Sequence, residues 1–204
     1  MRKIWKMAMV TGLTAVMICF AGMHRRGQDM QQSIAQKIIR FHVIANSDSD
    51  EDQALKLKVK ERVVESMKPV LAQADGVDEA RRVMKEHLGE IERTASETLQ
   101  EEGSCYSVHA ELTTSHFPVK SYGEFTFPDG DYEALRIIIG AGEGKNWWCV
   151  MYPKLCFVDS LYTVVPEESK RELKSQLTDE EYEELLQGEK PVKIRWKLLE
   201  WLGF

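Results

Sequence analysis

Alternating apolar and polar residues predict a series of short strands along the chain. In the segment 37–45 one face is apolar, whereas the other carries Arg40 and His42. The same alternation over 106–113 predicts a second strand. The run 132–139 is the most apolar of all, so we expect it at the centre of the sheet. Shorter extended segments are predicted at 124–127, 147–152 and 155–158.

Apolar residues three or four positions apart predict a long helix over about 51–72. Ser47 or Ser49 is suited to cap its start, where acidic side chains complement the helix dipole. Pro69 is expected to kink or end the helix. Its polar side is expected to carry Lys56, Lys58, Lys60, Arg62 and Glu65.

A second long helix is predicted over about 78–100, and Thr178 with Glu181 forms a capping box that opens a shorter one. Strands and helices that follow each other in this irregular order favour an α+β fold. We expect two long helices packed on a mixed or antiparallel sheet of about four or five strands, with a C-terminal helical segment and an N-terminal signal or anchor helix.

The start of the chain has the pattern of a secretory signal. Basic residues precede an uncharged apolar run over residues 7–23, and Arg25 and Arg26 follow it. Seventeen residues at the helical rise span about 26 Å, slightly less than a hydrocarbon core of about 30 Å. The run therefore predicts either a signal cleaved after Ala21 or a short uncleaved anchor, and in both cases an exported protein.

These features divide the chain into four predicted parts. Residues 1–28 form the signal peptide or signal anchor, and the polar residues 29–36 form a linker or a fraying helix. Residues 37–160 form the core domain. Residues 161–204 form a helical extension that packs on the core.

Charge is segregated between the leader and the rest of the chain. The leader holds five basic residues and no acidic one, whereas 22 basic and 33 acidic residues follow it. A net charge of −11 argues against nucleic acid as a partner of the folded part, and against its binding to anionic lipid. Membrane contact is therefore expected only through residues 7–23, if they stay uncleaved.

The cysteines leave two alternatives open. Cys19 lies in the leader, so Cys105, Cys149 and Cys156 remain in the exported part. Cys149 and Cys156 are close in sequence and flank a turn at Pro153, which makes them the disulfide candidate. The alternative is three buried, reduced thiols that pack as small apolar groups.

Two motifs resemble ligand-binding loops but fail in detail. Asp48, Asp50 and Asp52 alternate as in a calcium loop, but the required glycine and bidentate glutamate are absent. The glycines of 140–145 follow a strand, but the loop lacks the Ser or Thr of a phosphate-binding loop, and Trp147 follows where a helix should begin. A tight turn explains these glycines. No metal and no cofactor is predicted.

No catalytic residue is predicted either. The chain has no nucleophile-elbow serine, and its histidines are scattered. A Cys149–His42 or a Cys105–His109 pair remains the alternative for nucleophilic catalysis, without a supporting motif.

Aromatic residues and cysteines are concentrated between residues 144 and 157. Because side chains alternate along a strand, Trp147 and Trp148 should point to opposite faces. The outward tryptophan is either covered by another element or available as a contact residue, since tryptophan is enriched at binding hot spots.

Three segments resemble the stage II sporulation protein R family of endospore-forming bacteria. They are IRFHVIANSDSDEDQALKLKVK from Ile39, YEALRIIIG from Tyr132, and GEGKNWWCV from Gly142 with PKLCFVD ending at Asp159. The resemblance covers about 36–160. It implies a signalling protein that is made in the forespore and exported into the space between the two membranes. There it triggers a membrane-embedded aspartic protease of the mother cell, which then removes the pro-sequence of sigma-E.

The resemblance thus implies a ligand of the extracytoplasmic face of that protease. We expect contact residues at the strand-to-helix turn and in the glycine loop, namely His42, Asn46, Asp48, Lys145, Asn146, Trp147 and Trp148. The alternatives are an exported hydrolase and a module that binds the cell wall.

Overall fold

A computed structural model describes residues 17, 22, 25–156 and 165–187. Most of the predicted leader and the end of the extended segment expected at 155–158 lie outside the described residues. Of the predicted extension 161–204, residues 161–164 and 188–204 lie outside them as well. Among the described residues, no helix combines the length and apolarity that crossing a bilayer requires.

The described residues form an α+β fold, as the sequence predicts. A helix over residues 25–35 (α1) precedes the first strand. The other elements are β1 (Ile39–Ile44), α2 (Asp50–Leu71), α3 (Val77–Glu86), α4 (Leu88–Glu101), β2 (Val108–Phe117), β3 (Lys120–Tyr122), β4 (Phe125–Phe127), β5 (Gly130–Ile139), β6 (Asn146–Tyr152), α5 (Glu167–Gln176) and α6 (Asp179–Gln187).

Four strands form a mixed sheet in the order β2-β5-β1-β6, and β3 pairs with β4 in a small second sheet. β1 runs parallel to β5 and antiparallel to β6, while β2 and β5 are antiparallel. The central position predicted for the apolar run 132–139 is confirmed, and β5 shares the centre with β1.

Both faces of the sheet are covered. On the first face, Phe41 and Val43 of β1 pack in a core with apolar side chains of α2, α3 and α4. On the second face, a separate core joins the sheet to α1, to the small sheet and to α5 and α6. The sequence places Arg40 and His42 on the second face of β1 correctly, but these polar side chains are buried as well, at 0% and 3% exposure.

The buried Arg40 guanidinium is enclosed by aromatic rings. Its central carbon lies 4.3 Å from the ring centroid of Phe117 and 4.9 Å from that of Tyr132. Its Nε donates to the carbonyl oxygen of Cys149 at 3.1 Å, and Nη2 donates to the Tyr122 hydroxyl at 3.2 Å. Burial lowers the pKa of Arg40. Cation–π attraction and these hydrogen bonds offset part of the loss of hydration, while Arg40 Nη1 has no hydrogen-bond partner among the described residues.

The helices differ from the prediction at one point. The helix expected over 78–100 is broken at His87, whose backbone (φ −100°, ψ 6°) ends α3 and starts α4. The ring nitrogen Nδ1 of His87 lies 2.8 Å from the carbonyl oxygen of Val83. The His87 side chain thus pairs with a main-chain acceptor at the end of α3. α2 ends at Leu71, two residues after Pro69 and close to the predicted end.

Glu181 joins the first helix of the described chain to the last. Its carboxylate accepts hydrogen bonds from Lys37 Nζ at 2.5 Å, from Ser33 Oγ at 2.6 Å and from the Thr178 backbone N–H at 2.7 Å. Thr178 Oγ1 in turn accepts from the Glu181 N–H at 3.3 Å, so the predicted capping box is confirmed. Glu181 is 3% exposed. It is therefore both a helix cap and the buried member of an ion pair with the partly exposed Lys37.

Replacing Glu181 by Gln should reduce the free energy of unfolding by about 1–3 kcal/mol at neutral pH, because Lys37 then loses its charged partner. Burial alone would raise the pKa of Glu181, but hydrogen bonds from Lys37 and Ser33 stabilise the carboxylate and lower it overall. The ionised Glu181 carboxylate therefore contributes fully to the free energy of unfolding above the ordinary pKa of a glutamate. This contribution is lost as the pH falls through the lower folded-state pKa.

Urea unfolding at a series of pH values checks this prediction. Glu183→Gln is the matched control, because Glu183 is exposed on the same helix. The prediction is contradicted if the free energy of unfolding differs between the parent and Glu181→Gln by the same amount down to strongly acidic pH.

Candidate functional site

Two turns interlock at one end of the central strands. Because β1 and β5 are parallel neighbours, their carboxyl ends lie side by side, and each continues into a turn. We call residues 45–49 and 140–145 the interlocked turns. The N–H of Gly144 donates to the Ala45 carbonyl at 2.9 Å, and that of Lys145 donates to Asp48 Oδ1 at 2.7 Å. The two chain segments are thus joined through main-chain donors.

Asn46 is the central side chain of the interlocked turns. Its Oδ1 accepts from the Ala141 N–H at 3.0 Å, and its Nδ2 donates to Asp52 Oδ2 at 2.9 Å. Ser47 Oγ donates to the same Asp52 oxygen at 2.6 Å. These hydrogen bonds lower the pKa of Asp52.

Ser49, one of the two predicted caps of α2, accepts from the Asp52 N–H at 3.2 Å. Asp50 and Asp52 thus lie in the first turn of α2, which is the role the sequence favours, whereas Asp48 accepts from the Lys145 N–H instead. Among the described residues, no three His, Cys, Asp or Glu side chains converge as a metal site would require.

The glycines of 140–145 are explained by the tight approach of the two turns. Gly140 has φ +58°, and a Cβ there would lie 2.3 Å from Asn46 Oδ1. Gly142 has φ +66°, and a Cβ there would lie 2.7 Å from Ile138 Cγ2. Both the left-handed backbone and the absence of a side chain are required at these positions. The expectation of a tight turn is confirmed.

Lys56 stabilises the interlocked turns from α2. The helical pattern predicts the wrong environment for this residue. It was expected on the exposed side of α2, but it is 5% exposed. Its Nζ donates to the Lys145 carbonyl at 3.0 Å and to Gln53 Oε1 at 2.5 Å. Burial lowers the pKa of Lys56. Helical periodicity cannot reveal this role, because a lysine stem packs against apolar neighbours while its amine reaches a carbonyl.

The two tryptophans lie on opposite faces, as strand alternation predicts. On the first face, the partly buried Trp147 ring lies 5.8 Å from the Phe41 ring, and Lys60 Nζ lies 5.1 Å from its centroid. Trp147 is thus held by the helical side of the protein.

On the second face, Trp148 is stacked on His42. Their ring centroids are 4.9 Å apart with an interplanar angle of 3°, and the Phe117 ring meets Trp148 edge-on at 4.7 Å. Trp148 is half-buried, whereas His42 beneath it is fully covered. Of the two alternatives raised by the sequence, neither holds alone, because each tryptophan is partly packed and partly exposed.

A row of polar side chains continues from Trp148 across the sheet. The strand register places Glu111, Arg136, His42 and Trp148 side by side on β2, β5, β1 and β6. Arg136 Nε donates to Glu111 Oε1 at 2.9 Å. Glu111 and Arg136 were not predicted as site residues. The alternation of each strand shows which face they occupy, but only the pairing register shows that they adjoin His42.

His42 is held neutral by its surroundings. Burial lowers its pKa to about 4, opposed by the Asn146 side chain and assisted by the charges of Arg136 and Arg40. Among the described residues, neither ring nitrogen of His42 nor Asn146 Oδ1 has a hydrogen-bond partner of good geometry. His42 therefore supports Trp148 from below, and a partner meets the indole before it meets the imidazole.

The predicted disulfide is formed. Cys149 and Cys156 are bonded with their Cα atoms 5.6 Å apart, and the alternative of three buried, reduced thiols is wrong. Among the described cysteines, Cys105 is free and exposed. Because Cys149 is oxidised and pairs in register with Phe41 rather than His42, the arrangement does not form a Cys149–His42 nucleophile and base.

The structure brings the seven predicted contact residues into one region, around the first residues of β6. His42, Val43 and Ile44 of β1 pair with Trp148, Trp147 and Asn146. Asp48 and Lys145 are exposed beside them, with their charged atoms 3.6 Å apart. Asn46 is occupied by the interlocked turns. We call the exposed part of this region, formed by Asp48 and residues 145–148, the β6 surface.

The comparisons with known proteins agree on one family. A family model described as stage II sporulation protein R matches residues 35–162, which include all six strands and the β6 surface. The stage II sporulation protein R of Bacillus subtilis (strain 168) is 32% identical over 192 aligned residues, covering 88% of this chain and 86% of that protein. No solved structure matches the chain.

Gly140→Ala should destabilise the protein by more than about 1 kcal/mol, because alanine is strained at positive φ and its Cβ would collide with Asn46. The matched control is Gly89→Ala in α4, where a Cβ meets nothing within 4 Å. That change should stabilise by about 0.4–1 kcal/mol. Urea unfolding measures both. Equal effects of the two substitutions would refute the role of Gly140.

His42 should titrate near pH 4 in the folded protein, which an NMR pH titration of its ring protons measures. The unfolded chain takes up this proton at higher pH than the folded chain does. Stability should therefore fall by up to about 3 kcal/mol as the pH decreases from about 6.5 to about 4. His42→Gln should remove this part of the pH dependence. A folded-state pKa near the ordinary value of histidine would contradict the burial argument.

Proposed function

The chain belongs to the stage II sporulation protein R family, and from this premise we propose that it is an exported signal for a membrane-embedded aspartic protease. Binding of the protein to the extracytoplasmic face of the protease activates it. The active protease then removes the pro-sequence of sigma-E in the mother cell. The family match carries this proposal, and the features described below support it.

Export is supported by the leader and by the disulfide. The leader has a basic start and an apolar run over residues 7–23. The Cys149–Cys156 disulfide is typical of proteins that mature outside the reducing cytoplasm. We place the protein in the space between the forespore and mother-cell membranes, where it is either released or anchored by its leader.

The β6 surface is the proposed contact region. It combines a half-buried indole with an exposed Asp48–Lys145 pair, and all of its residues are fixed by the sheet or by the interlocked turns. A large aromatic side chain on a rigid support contributes strongly to binding, because little conformational freedom is lost. Tryptophan in such a position is a common hot spot.

Activation requires a difference in affinity. A ligand shifts a two-state protein only when it binds one state more tightly than the other. We propose that the β6 surface fits the active form of the protease better than the inactive form. On this account the protein supplies binding free energy, and the protease supplies the chemistry.

Trp148→Ala should reduce pro-sigma-E processing at least tenfold in sporulating cells, because loss of a tryptophan hot spot costs about 2 kcal/mol or more of binding. Immunoblots that separate pro-sigma-E from sigma-E measure the effect. Trp148→Phe keeps a ring on His42 and should retain intermediate activity. Thermal unfolding of the purified variants shows whether each one is folded.

Lys145→Glu provides a second test that leaves both cores intact, because Lys145 is exposed. It should also reduce processing, whereas Lys85→Glu on the remote helix α3 should not. Normal processing with both Trp148→Ala and Lys145→Glu would exclude the β6 surface. Turnover of a cell-wall or peptide substrate by the purified protein would favour an exported hydrolase instead.

A further inference from the structure

We propose that two copies of the protein pair through the outer edge of β2. The main sheet has the order β2-β5-β1-β6, so β2 is bonded to a neighbouring strand on one side only. β6 is also an edge strand, but β2 is the longer of the two, with ten residues against seven. The pairing does not depend on the proposed protease activation, because it concerns this chain alone.

Alternate residues of β2 direct their main-chain groups away from β5. Just before the strand, the Ser107 carbonyl accepts from the Gly140 N–H at 2.8 Å. The Ala110 N–H instead donates to Glu92 Oε1 of α4 at 2.8 Å. Odd-numbered residues therefore bond to β5 and even-numbered residues face outward, because the main-chain groups of an antiparallel strand alternate in this way. The outward residues after Ala110 are Leu112, Thr114 and His116.

These three residues form an open stretch of main chain. Within the part of the chain that the structure describes, neither the N–H nor the carbonyl of any of them has a hydrogen-bond partner. Thr114 and His116 are exposed, and Leu112 is half-buried. Edge strands usually carry a lysine, a proline or a bulge that prevents pairing with another strand. β2 has none of these, since its sequence is VHAELTTSHF and its register with β5 is continuous.

The open stretch fits a second copy because its two ends match each other. On one side it stops at Ala110, whose N–H is already bonded to Glu92. On the other side it stops at Pro118, which has no N–H. When two β2 strands run antiparallel about Thr114, Ala110 of one copy stands opposite Pro118 of the other, and neither residue has a donor left without a partner. Moving the axis by two residues would instead place Thr114 opposite one of these two residues.

The side chains that meet in this pairing are compatible. The facing pairs are Thr114 with Thr114, Leu112 with His116, Thr113 with Ser115, and Glu111 with Phe117. Pairs of hydroxyl side chains stabilise neighbouring strands, whereas like charges directly opposite each other destabilise them. Glu111 is the only acidic residue of β2, and it is already bonded to Arg136. No like charges therefore face each other between the two copies of β2.

This pairing leaves the β6 surface of each copy free. β2 and β6 lie at opposite edges of the sheet, so the dimer has one continuous sheet of eight strands with a β6 strand at each outer edge. At a strand spacing of about 4.8 Å, the two β6 strands lie roughly 30–35 Å apart. The dimer therefore presents two copies of the β6 surface.

Sedimentation equilibrium of the full-length protein in a mild detergent tests the dimer. Thr114→Pro removes a main-chain donor at the centre of the contact, and its ring faces the second copy. It leaves the bonds to β5 intact, because proline is tolerated on an edge strand where its nitrogen faces outward. The dissociation constant of the dimer should rise roughly tenfold or more. Thr114→Val, the matched control, keeps the N–H and the branched shape and should dimerise like the parent. Thermal unfolding shows whether each variant is folded.

Cysteine cross-linking tests the register without a proline. Cys19 and Cys105 are first changed to Ser. Thr114→Cys then brings two thiols to the axis, where the Cα atoms of a hydrogen-bonded pair lie about 5.5 Å apart, within the range of a disulfide. His116→Cys is the matched control on the same exposed edge, because its two copies lie roughly 14 Å apart in this register. On mild oxidation, Thr114→Cys should cross-link roughly tenfold faster than His116→Cys, or more.

Three results overturn the proposal. A parent protein that stays monomeric up to the highest soluble concentration excludes the dimer. Equal dimerisation of a folded Thr114→Pro and of Thr114→Val places the contact on another surface. Equal rates of cross-linking for Thr114→Cys and His116→Cys show that the copies do not pair about position 114.

Discussion

Burial of both faces of β1 is the constraint on which the rest of the structure depends. The apolar face needs only the helices α2 to α4, but the other face carries Arg40 and His42, which lose their hydration. A ring of aromatic side chains, together with hydrogen bonds that Arg40 donates to a carbonyl and a hydroxyl oxygen, offsets part of the lost hydration of Arg40. The small sheet and the helices α1, α5 and α6 cover this second face of the main sheet. Arg40 thus brings Phe117, Phe127 and Tyr132 of the second core together around one buried charge.

The same strand also determines where the β6 surface lies. Its parallel partner β5 brings the two turns together, and its antiparallel partner β6 places residues 146–148 opposite residues 42–44. The turns then interlock through Asn46 and Asp48, with Lys56 reaching across from α2. The half-buried indole of Trp148 is consequently held on a rigid base. A binding surface that must distinguish two states of a partner needs this rigidity.

Local signals predicted much of this structure. Alternation located β1 and β2, and the apolar run 132–139 located β5. Short-range capping signals at Ser49 and Thr178 marked two helix starts. The near neighbours Cys149 and Cys156 paired. Features that depend on distant partners were missed, such as the ion pair of Glu111 with Arg136 and the burial of Lys56. The break at His87 was also missed, because a continuous apolar stripe runs through it and the local hydrogen bond that ends α3 leaves no periodic signal.

Reconstitution tests the central claim most directly. Purified protein is added to membrane vesicles in which the extracytoplasmic face of the protease is outside and pro-sigma-E is enclosed. The account predicts that cleavage of pro-sigma-E begins on addition of the protein and depends on Trp148. Cleavage at the same rate without the protein, or none when it is present and folded, would contradict it.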